Sequence, residues 1–468
     1  MLQRCRFRQL VRVASVLTVV ACLSTGCNRT DDWRPPANFD PTINVVLITL
    51  DTTRADHLGC YGYDKPVSPR IDRFAAQSTI FERAVCSAAV TPVSHASILT
   101  GQHPYRHGLR VLHGLAENRL PDAALTLTEI LRSVGYRTAA FISAFPAGSR
   151  FGLHQGFETF DETFMHDELA DVVDGLGAVN TGDNQRRAGD TTDLALQWLD
   201  RTDTTFFLWL HYFDPHDAQL LPPREFLSGF KVPVGTERDR LRALYDIEIR
   251  YMDQQIGRVF DALERDGRLE ESLIIIVSDH GEGLGDHDWW THGILYEEQI
   301  HAPLIIHAPD RPSGRRVNHL VRTIDVMPTV LDVIGMNDHP ATLDGRSLAA
   351  MLEKDVPDPG LTAYADSVNM LNYVFAPGIA DRKDDMLFCV TDGTWKYIHH
   401  LNRPKESELY DLTRDRREQS NLIASRPGQV KRLLADLLAR EFMPELAGGP
   451  GSMSPEDIAR LKSVGYSQ

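Results

Sequence analysis

The sequence predicts an α/β fold in which a large, mostly parallel sheet is flanked by helices, and two observations support this. Short apolar runs rich in β-branched residues alternate with amphipathic stretches, as expected of buried parallel strands connected by helices. The chain has 468 residues, of which 42% are hydrophobic and 24% are charged. This ordinary globular composition excludes a disordered, collagen-like or multi-span membrane protein.

Five apolar runs are predicted to be strands: Ile43–Leu50, Thr138–Ser143, Phe206–Leu210, Leu273–Val277 and Leu304–Ile306. The amphipathic stretches predicted to be helices are Ile71–Gln77, Leu125–Ser133, Thr191–Leu199 and Asp239–Asp266. In such a sheet ligands bind beyond the carboxyl ends of the strands. The residues that follow each run are therefore the candidates for a functional site.

The N-terminus predicts a bacterial export signal. An arginine-rich start precedes the apolar run Val13–Leu23, which is shorter than the roughly 20 residues of a membrane-spanning helix. Small residues precede Cys22 and Cys27, and both places resemble the lipobox of bacterial lipoproteins, whose cysteine is acylated. We expect a signal at 1–27, with Cys27 favoured over Cys22, and a tether at 28–42. The protein is then exported and held at the cell envelope by its N-terminal lipid; an uncleaved anchor is the alternative.

The charge balance limits the classes of partner. Acidic residues outnumber basic ones by 65 to 49, for a formal charge of −16, which argues against nucleic acid because phosphate contacts need a basic surface. A small anionic substrate stays compatible, since one buried metal ion reverses the local field. Beyond the signal only Cys60, Cys86 and Cys389 remain, too few for a disulfide framework.

Aspartate and histidine follow three of the predicted strands. Asp51 comes directly after the first run, Asp214 and His216 follow the Phe206 run, and Asp279-His280 follow the Leu273 run. Parallel strands deliver these side chains to one rim of the sheet, and carboxylates with imidazoles are common metal ligands. The sequence therefore predicts a metal site at this rim.

The segment Thr91–Gly101 supplies a candidate nucleophile. Thr91 is expected to cap a helix with Pro92 in its first position, and Gly101 is expected to end it. A hydroxyl at a helix N-terminus lies where backbone N–H groups attract an oxyanion. Beside a cation, that hydroxyl can lose its proton and attack phosphorus or sulfur. His95 lies one turn further on, on the same side of the helix.

Several segments together resemble the sulfatase branch of the alkaline phosphatase superfamily. They are LITLDTTRADHLGCYGY at 47–63, TPVSHASILTG at 91–101, SDHGEGLGDHDWWTHG at 278–293 and ELYDLTRDRREQSNL at 408–422. The resemblance runs from about residue 43 to the end. It implies an alkaline-phosphatase/sulfatase-like sandwich at 43–345, followed at 346–468 by a small subdomain with an antiparallel sheet and a helical tail.

The departures from the family pattern concern the nucleophile and one metal ligand. Typical sulfatases carry Cys-x-Pro-Ser-Arg, whose cysteine becomes formylglycine; alignment here places Thr91 at the cysteine and His95 at the arginine. No formylglycine is therefore expected. Thr52 stands where typical sulfatases have a second Asp, and His280 stands where many have Asn. The loss of a carboxylate and the gain of an imidazole favour zinc or manganese over calcium.

Threonine as nucleophile, Asp and His as metal ligands and the following Thr291-His292-Gly293 are similar to the phosphodiesterase and phosphoethanolamine-transferase branches of the superfamily, and this resemblance implies a metal site. Its expected ligands are Asp51, Thr91, Asp279 and His280. His216 and His292, together with Asp214, are expected either to hold a second metal or to bind the substrate's oxygens, with His216 protonating the leaving group. His95 is expected either to contact the transferring group or to orient the residues that do.

The resulting hypothesis is a metal-dependent hydrolase that cleaves a sulfate or phosphate ester through Thr91. The expected substrate is a small molecule, a glycan or a lipid that carries such an ester. Two alternatives remain open at this stage: a transferase that moves a phospho group to a lipid or glycan, and a non-catalytic binding protein that retains the pocket.

Overall fold

The computed structural model describes residues 34–110, 119–164, 184–216, 221–228, 233–367 and 385–440, together with residues 456 and 460. The expected signal, with Cys22 and Cys27, lies outside the described residues, as does most of the tail. In the described ranges, no helix is both long enough and apolar enough to cross a bilayer.

The main sheet has eight strands within the described residues. They are β1 (Asn44–Leu50), β2 (Thr79–Val85), β3 (Arg137–Ile142), β4 (Thr159–Asp161), β5 (Phe206–Tyr212), β6 (Ser272–Ser278), β7 (His301–His307) and β8 (Arg315–Arg322). Their order is β4-β3-β5-β1-β6-β7-β2-β8. Neighbours are parallel except at β7, which is antiparallel to both β6 and β2. All five predicted strands are present, while β2, β4 and β8 were not predicted.

Helices cover both faces of this sheet. In chain order the α-helices of the described residues 34–440 are α1 (Pro69–Ala75), α2 (Thr91–Thr100), α3 (Pro104–His107), α4 (Leu127–Ser133), α5 (Ala188–Leu199), α6 (Arg224–Leu227), α7 (Glu237–Arg265), α8 (Glu297–Ile300), α9 (Val326–Val333), α10 (Ala349–Glu353) and α11 (Pro427–Leu438). Alternate residues of β1 point to opposite sides of the sheet. Val45 and Leu47 join the core under α2, α4 and α9, whereas Val46 and Ile48 join the core under α1, α5 and α7.

A second, smaller sheet follows in the chain, as the sequence predicts. It is antiparallel and has the order β12-β11-β10-β9, formed by β9 (Ala363–Ser367), β10 (Leu387–Thr391), β11 (Trp395–His400) and β12 (Glu408–Asp411). Helix α11 packs Leu433 and Leu437 against Phe388 and Tyr397 on one face. On the other face Cys389 packs in a core that also contains residues of the main sheet.

Buried charged groups tie the small sheet to its surroundings. His400 on β11 lies between two carboxylates, with Nδ1 2.7 Å from Asp385 and Nε2 3.1 Å from Glu408. Burial opposes its positive charge, but the hydrogen bonds to Glu408 and Asp385 raise the pKa of His400 overall. Lys396, fully buried, contacts Glu297 of α8 at 3.1 Å and Glu418 at 2.9 Å. The contact between Lys396 and Glu297 fixes the chain between β6 and β7 against the small sheet.

Candidate active site

The carboxyl ends of β1 and β6 bring two aspartates together. These parallel strands pair with Leu50 opposite Ser278, so the residues that follow, Asp51 and Asp279, lie side by side. Both carboxyl groups are completely buried. Burial raises the pKa of both carboxyls well above their usual range, and for Asp279 the neighbouring Asp51 adds to the shift.

The two aspartates and His280 form a group that fits a metal ion. Asp51, Asp279 and His280 each offer a ligand atom, and these atoms lie within 4.8 Å of one another. In the part of the chain that the structure describes, Asp51 Oδ1 and Asp279 Oδ2 are buried and accept no hydrogen bond. Two adjacent buried carboxylates are costly without a counter-charge. The donor set therefore fits a divalent cation.

His280 presents one nitrogen to this group. Its Nδ1 lies 2.9 Å from the carbonyl oxygen of Gly281 and donates its proton there. The lone pair then resides on Nε2, which lies 3.4 Å from Asp279 Oδ2 and 3.3 Å from Thr91 Oγ1. A histidine that ligates a metal commonly donates its other N–H to a carbonyl in this way.

Thr91 begins α2, but it does not cap it as predicted. The cap position is occupied by Val90, Thr91 is the first helical residue, and Pro92 follows in the first turn. The Thr91 hydroxyl therefore faces His280 instead of the helix backbone. Gly101 ends the helix in the left-handed conformation, at φ 63°, as expected. One turn into the helix, the Ser94 hydroxyl donates to the carbonyl oxygen of Asp279 at 2.7 Å and holds α2 against the end of β6.

His95 lies close to the group formed by Asp51, Asp279 and His280, and both of its ring nitrogens have protein partners. Nδ1 donates to the carbonyl oxygen of Thr91 at 2.8 Å, and Nε2 accepts from the Thr49 hydroxyl at 3.1 Å. The indole of Trp209 donates to the same hydroxyl at 2.9 Å. Burial lowers the pKa of His95 well below its usual value, so the ring is neutral. Of the two expected roles, this arrangement favours the orienting one.

His216 and His292 form a pair beside His280. Their Nε2 atoms are 3.1 Å apart, and His292 Nδ1 donates to the carbonyl oxygen of Ala89 at 2.9 Å. His292 Nε2 is therefore the acceptor, and His216 Nε2 carries the proton between them. The His292 and His280 ring centroids are 4.5 Å apart. Burial lowers the pKa of His292 to about 4.

Asp214, the remaining expected ligand, lies in the turn after β5 and contacts the first residue of α5. Its Oδ1 accepts a hydrogen bond from the backbone N–H of Ala188 at 3.0 Å, and burial raises its pKa to about 7. Among the described residues, the group of close ligand atoms comprises Asp51, Asp279 and His280 without it.

Sequence reasoning missed His211, which contacts Asp51 directly. His211 Nδ1 accepts from the backbone N–H of Ser143 at 3.3 Å, so Nε2 donates to Asp51 Oδ2 at 3.1 Å. Burial lowers its pKa to about 3, and the ring stays neutral. The only signal in the sequence is that His211 lies near the end of a predicted strand. Its proximity to Asp51 depends on the register in which Thr49 pairs with His211.

Thr52 is held in a rarely occupied backbone conformation. Its φ is 50°, a value that a β-branched residue seldom adopts. In this conformation its N–H donates to Asp279 Oδ1 at 3.2 Å, and its carbonyl oxygen accepts from the Tyr245 hydroxyl at 2.7 Å. The same hydroxyl accepts from the N–H of Arg54 at 2.8 Å. The turn after β1 thus supports the carboxylate that follows β6.

Comparison with known proteins matches most of the chain. The family model described as sulfatase matches residues 43–336, and that described as N-sulphoglucosamine sulphohydrolase, C-terminal, matches residues 285–441. The multifunctional alkaline phosphatase superfamily protein PehA of Trinickia caryophylli is 33% identical over 81% of this chain and 91% of its own. The N-acetylglucosamine-6-O-sulfatase of Bacteroides thetaiotaomicron is 23% identical over 81% of this chain and 82% of its own.

The fold also matches solved structures. The phosphonate monoester hydrolase of Agrobacterium radiobacter superposes with a TM-score of 0.66 at 23% identity, over 89% of this chain and all of that one. At this level of identity, the likeness concerns the fold. The large, mostly parallel sheet and the small antiparallel sheet are thus the architecture predicted from the sequence.

Proposed function

Because the chain belongs to the sulfatase family, we propose that it hydrolyses a sulfate or phosphate ester with Thr91 as nucleophile, at a divalent metal site formed by Asp51, Asp279 and His280. The observation that carries the proposal is the 3.3 Å contact between Thr91 Oγ1 and His280 Nε2, beside two buried carboxylates. A hydroxyl at that place is a nucleophile within reach of the charge that activates it.

The donor set also supports the choice of metal. When bound, a divalent cation lowers the pKa of the Thr91 hydroxyl and stabilises negative charge on the ester. Asp51 and Asp279 supply carboxylate oxygens, His280 supplies an imidazole nitrogen, and Thr52 supplies no carboxylate. Mixed oxygen and nitrogen donors favour zinc or manganese over calcium.

The chain's own residues account for two successive displacements. Thr91 Oγ1 attacks sulfur or phosphorus as the bond to the leaving oxygen breaks in line, which gives a covalent threonine ester, and the hydroxyl proton passes to His292 Nε2. His216 Nε2, held against His292 Nε2 at 3.1 Å, gives its proton to the leaving alkoxide, so the histidine pair ends the step neutral. Water then attacks the threonine ester and gives one proton to the histidine pair, which returns a proton to Thr91 Oγ1 as the ester bond breaks and the free anion leaves.

Two further histidines are proposed as positioning residues. His95 orients the first turn of α2 through its bond to the Thr91 carbonyl, and His211 orients Asp51. Both are buried and neutral, so each holds one tautomer and one direction of hydrogen bonding.

The buried thiol of Cys86 supports a threonine mechanism over a formylglycine one. Its Sγ lies 3.3 Å from the carbonyl oxygen of Ala88, and burial raises its pKa far above the usual value. Cys86 lies outside the Thr91–Thr100 helix, in the segment between β2 and α2.

Release of p-nitrophenol tests this proposal. Matched p-nitrophenyl sulfate, phosphate and phosphodiester substrates are each assayed with zinc, manganese or calcium, for the native chain and for Thr91→Ala. We expect zinc- or manganese-dependent turnover that the variant loses. Turnover that persists in Thr91→Ala would refute the nucleophile, and a requirement for calcium would refute the choice of metal.

Transfer of the group to an acceptor other than water is the second candidate. Adding an alcohol acceptor and analysing the products distinguishes the two activities: a hydrolase releases free sulfate or phosphate, whereas a transferase forms a new ester.

A sulfated glycan is one substrate class to include in these assays, because one relative is the N-acetylglucosamine-6-O-sulfatase of Bacteroides thetaiotaomicron.

Export and lipid anchoring are proposed from the N-terminal sequence. The apolar run Val13–Leu23 and the two candidate cysteines support them. Fatty-acid labelling of the expressed chain and of its Cys22→Ser and Cys27→Ser variants tests the proposal, because label should disappear in one variant. Equal label in both, or none in the native chain, would contradict it.

A further inference from the structure

A cavity of about 180 Å³ lies between the main sheet and the small sheet. Its walls include Arg83 of β2, His301 of β7, Asn318 of β8, Thr391 of β10 and Arg416 after β12. We call this space the inter-sheet cavity. No member of the Asp51, Asp279 and His280 group lines it, so it is separate from the proposed active site. A space of this size holds a small polyatomic group together with water.

Two guanidinium groups line the inter-sheet cavity, and Arg416 acts on the charge of Glu297 only from beyond ion-pair distance. Among the residues that the structure describes, neither Arg83 nor Arg416 forms an ion pair. The Arg83 guanidinium lies against the backbone of Gly393, where an added Cβ would overlap it. Gly393 has φ 80°, a conformation that also favours glycine. The turn between β10 and β11 therefore leaves room for Arg83 to reach the cavity.

The carboxylate in the wall is already neutralised. Glu297 is the acidic residue among the described residues of the lining, and its carboxylate lies 3.1 Å from the Lys396 ammonium. Lys396 also contacts Glu418, and burial raises the pKa of Glu418 above its usual value. This buried cluster adds little net negative charge, so the two arginines give the cavity a positive charge within a chain of formal charge −16.

We propose that the inter-sheet cavity binds a sulfate or phosphate group, independently of the active site. Guanidinium groups present paired N–H donors that match the oxygens of such anions. The hydroxyl of Thr391 and the amide of Asn318 supply neutral donors in the same wall, whereas the Thr413 hydroxyl donates to Asp411. The bound group is either a free inorganic anion or a second anionic group of a larger ester.

Equilibrium dialysis with radioactive sulfate tests the site in the metal-loaded protein. The native chain is compared with R83Q, R416Q and the double variant. We expect the number of sulfate ions bound per chain to fall by one in the double variant, while p-nitrophenyl ester hydrolysis is unchanged. R416Q is informative by itself, because Arg416 is exposed and its substitution leaves the fold intact. Sulfate binding equal to that of the native chain in the double variant would overturn the proposal.

A matched control and a locating experiment accompany the dialysis. R265Q removes an exposed arginine that pairs with Asp266 at 2.9 Å, away from the cavity, and should leave sulfate binding unchanged. In crystals soaked with selenate, an anomalous peak is expected between Arg83 and Arg416. A peak that persists in the double variant, or its absence from the native protein, would refute the site.

Enzyme kinetics distinguish a free anion from a second anionic group of the substrate. This experiment rests on the proposed function. KM is measured for a p-nitrophenyl monoester and for an ester that carries a second sulfate group. A rise in KM for the second substrate alone, in the double variant, assigns the cavity to a larger substrate. An unchanged KM together with the lost sulfate ion assigns it to a free anion. If the chain hydrolyses none of these esters, the proposed function fails. The dialysis result still decides whether the cavity binds sulfate.

Discussion

Replacing Thr91 by alanine should abolish most of the activity while lowering the stability of the fold only slightly. Thr91 is fully buried, and its hydroxyl contacts His280 Nε2 at 3.3 Å. Removing one hydrogen bond costs about 1 kcal/mol and removing one buried methyl about 0.8 kcal/mol, while alanine is the better helix former. The free energy of unfolding should therefore fall by only about 1 to 2 kcal/mol. Loss of the nucleophile should lower kcat/KM by about a thousandfold or more, equivalent to about 4 kcal/mol of transition-state stabilisation.

The assay combines ester hydrolysis with urea unfolding. Thr100→Ala is the matched control, since it makes the same change at the other end of α2, where the hydroxyl donates to the Ala96 carbonyl at 2.6 Å. That variant should lose comparable stability and keep its activity. Mass spectrometry of the native protein quenched during turnover should find one sulfuryl or phosphoryl group on Thr91. Residual activity of Thr91→Ala above about a tenth of native would refute the reasoning, because nucleophile removal costs far more than tenfold.

Three other predictions test the surroundings of the site. His211→Phe removes the hydrogen bond to the carboxylate after β1 and should weaken zinc affinity about 10- to 100-fold, measured against a competing chelator; an unchanged affinity would contradict the positioning role. His400→Gln should lower the melting temperature more near about pH 5.5 than near about pH 9. The pKa of His400 is higher in the folded chain than in the unfolded one, so the protonated ring stabilises the fold below the unfolded pKa of about 6.5. This stabilisation is lost as the pH rises through the folded pKa. A pH-independent difference would contradict it. Gly281→Ala places a Cβ on the carbonyl oxygen of Glu298 and should lower both melting temperature and activity; a native-like variant would show that the chain relaxes there.

The main elements could be predicted because their signals are local. The runs that became β1 and β6 are apolar and β-branched, and they end at Asp51 and Asp279, so both the strands and the aspartates at their ends could be recognised. Strands β2 and β8 were missed because both contain charged residues, including Arg83 and Arg316, that interrupt the apolar pattern. The three-residue strand β4 is too short to give a signal.

The details of the candidate site depend on contacts between distant segments. Nothing near Thr91 in the sequence distinguishes a helix cap from a first helical residue, and only the position of His280 explains where the hydroxyl points. The direction of His95 depends on Thr49, which lies on another element. His211 acquires its contact through the register of β5 against β1. Sequence reasoning reaches the residue types of the site, whereas these orientations require the packed sheet.

The reversed direction of β7 has a consequence for how such a site can diversify. Because β7 runs against β6, residues 279–300 leave the sheet and re-enter it at the same rim, and this excursion carries His280 and His292. If β7 were parallel to β6, the chain would have to cross the sheet to the rim where β6 begins before β7 could start. Here, insertions between His280 and His292 change the residues around the site, while the aspartates at the strand ends and the two histidines keep their places. The sheet thus fixes both ends of this loop, whereas its middle can vary in length and sequence.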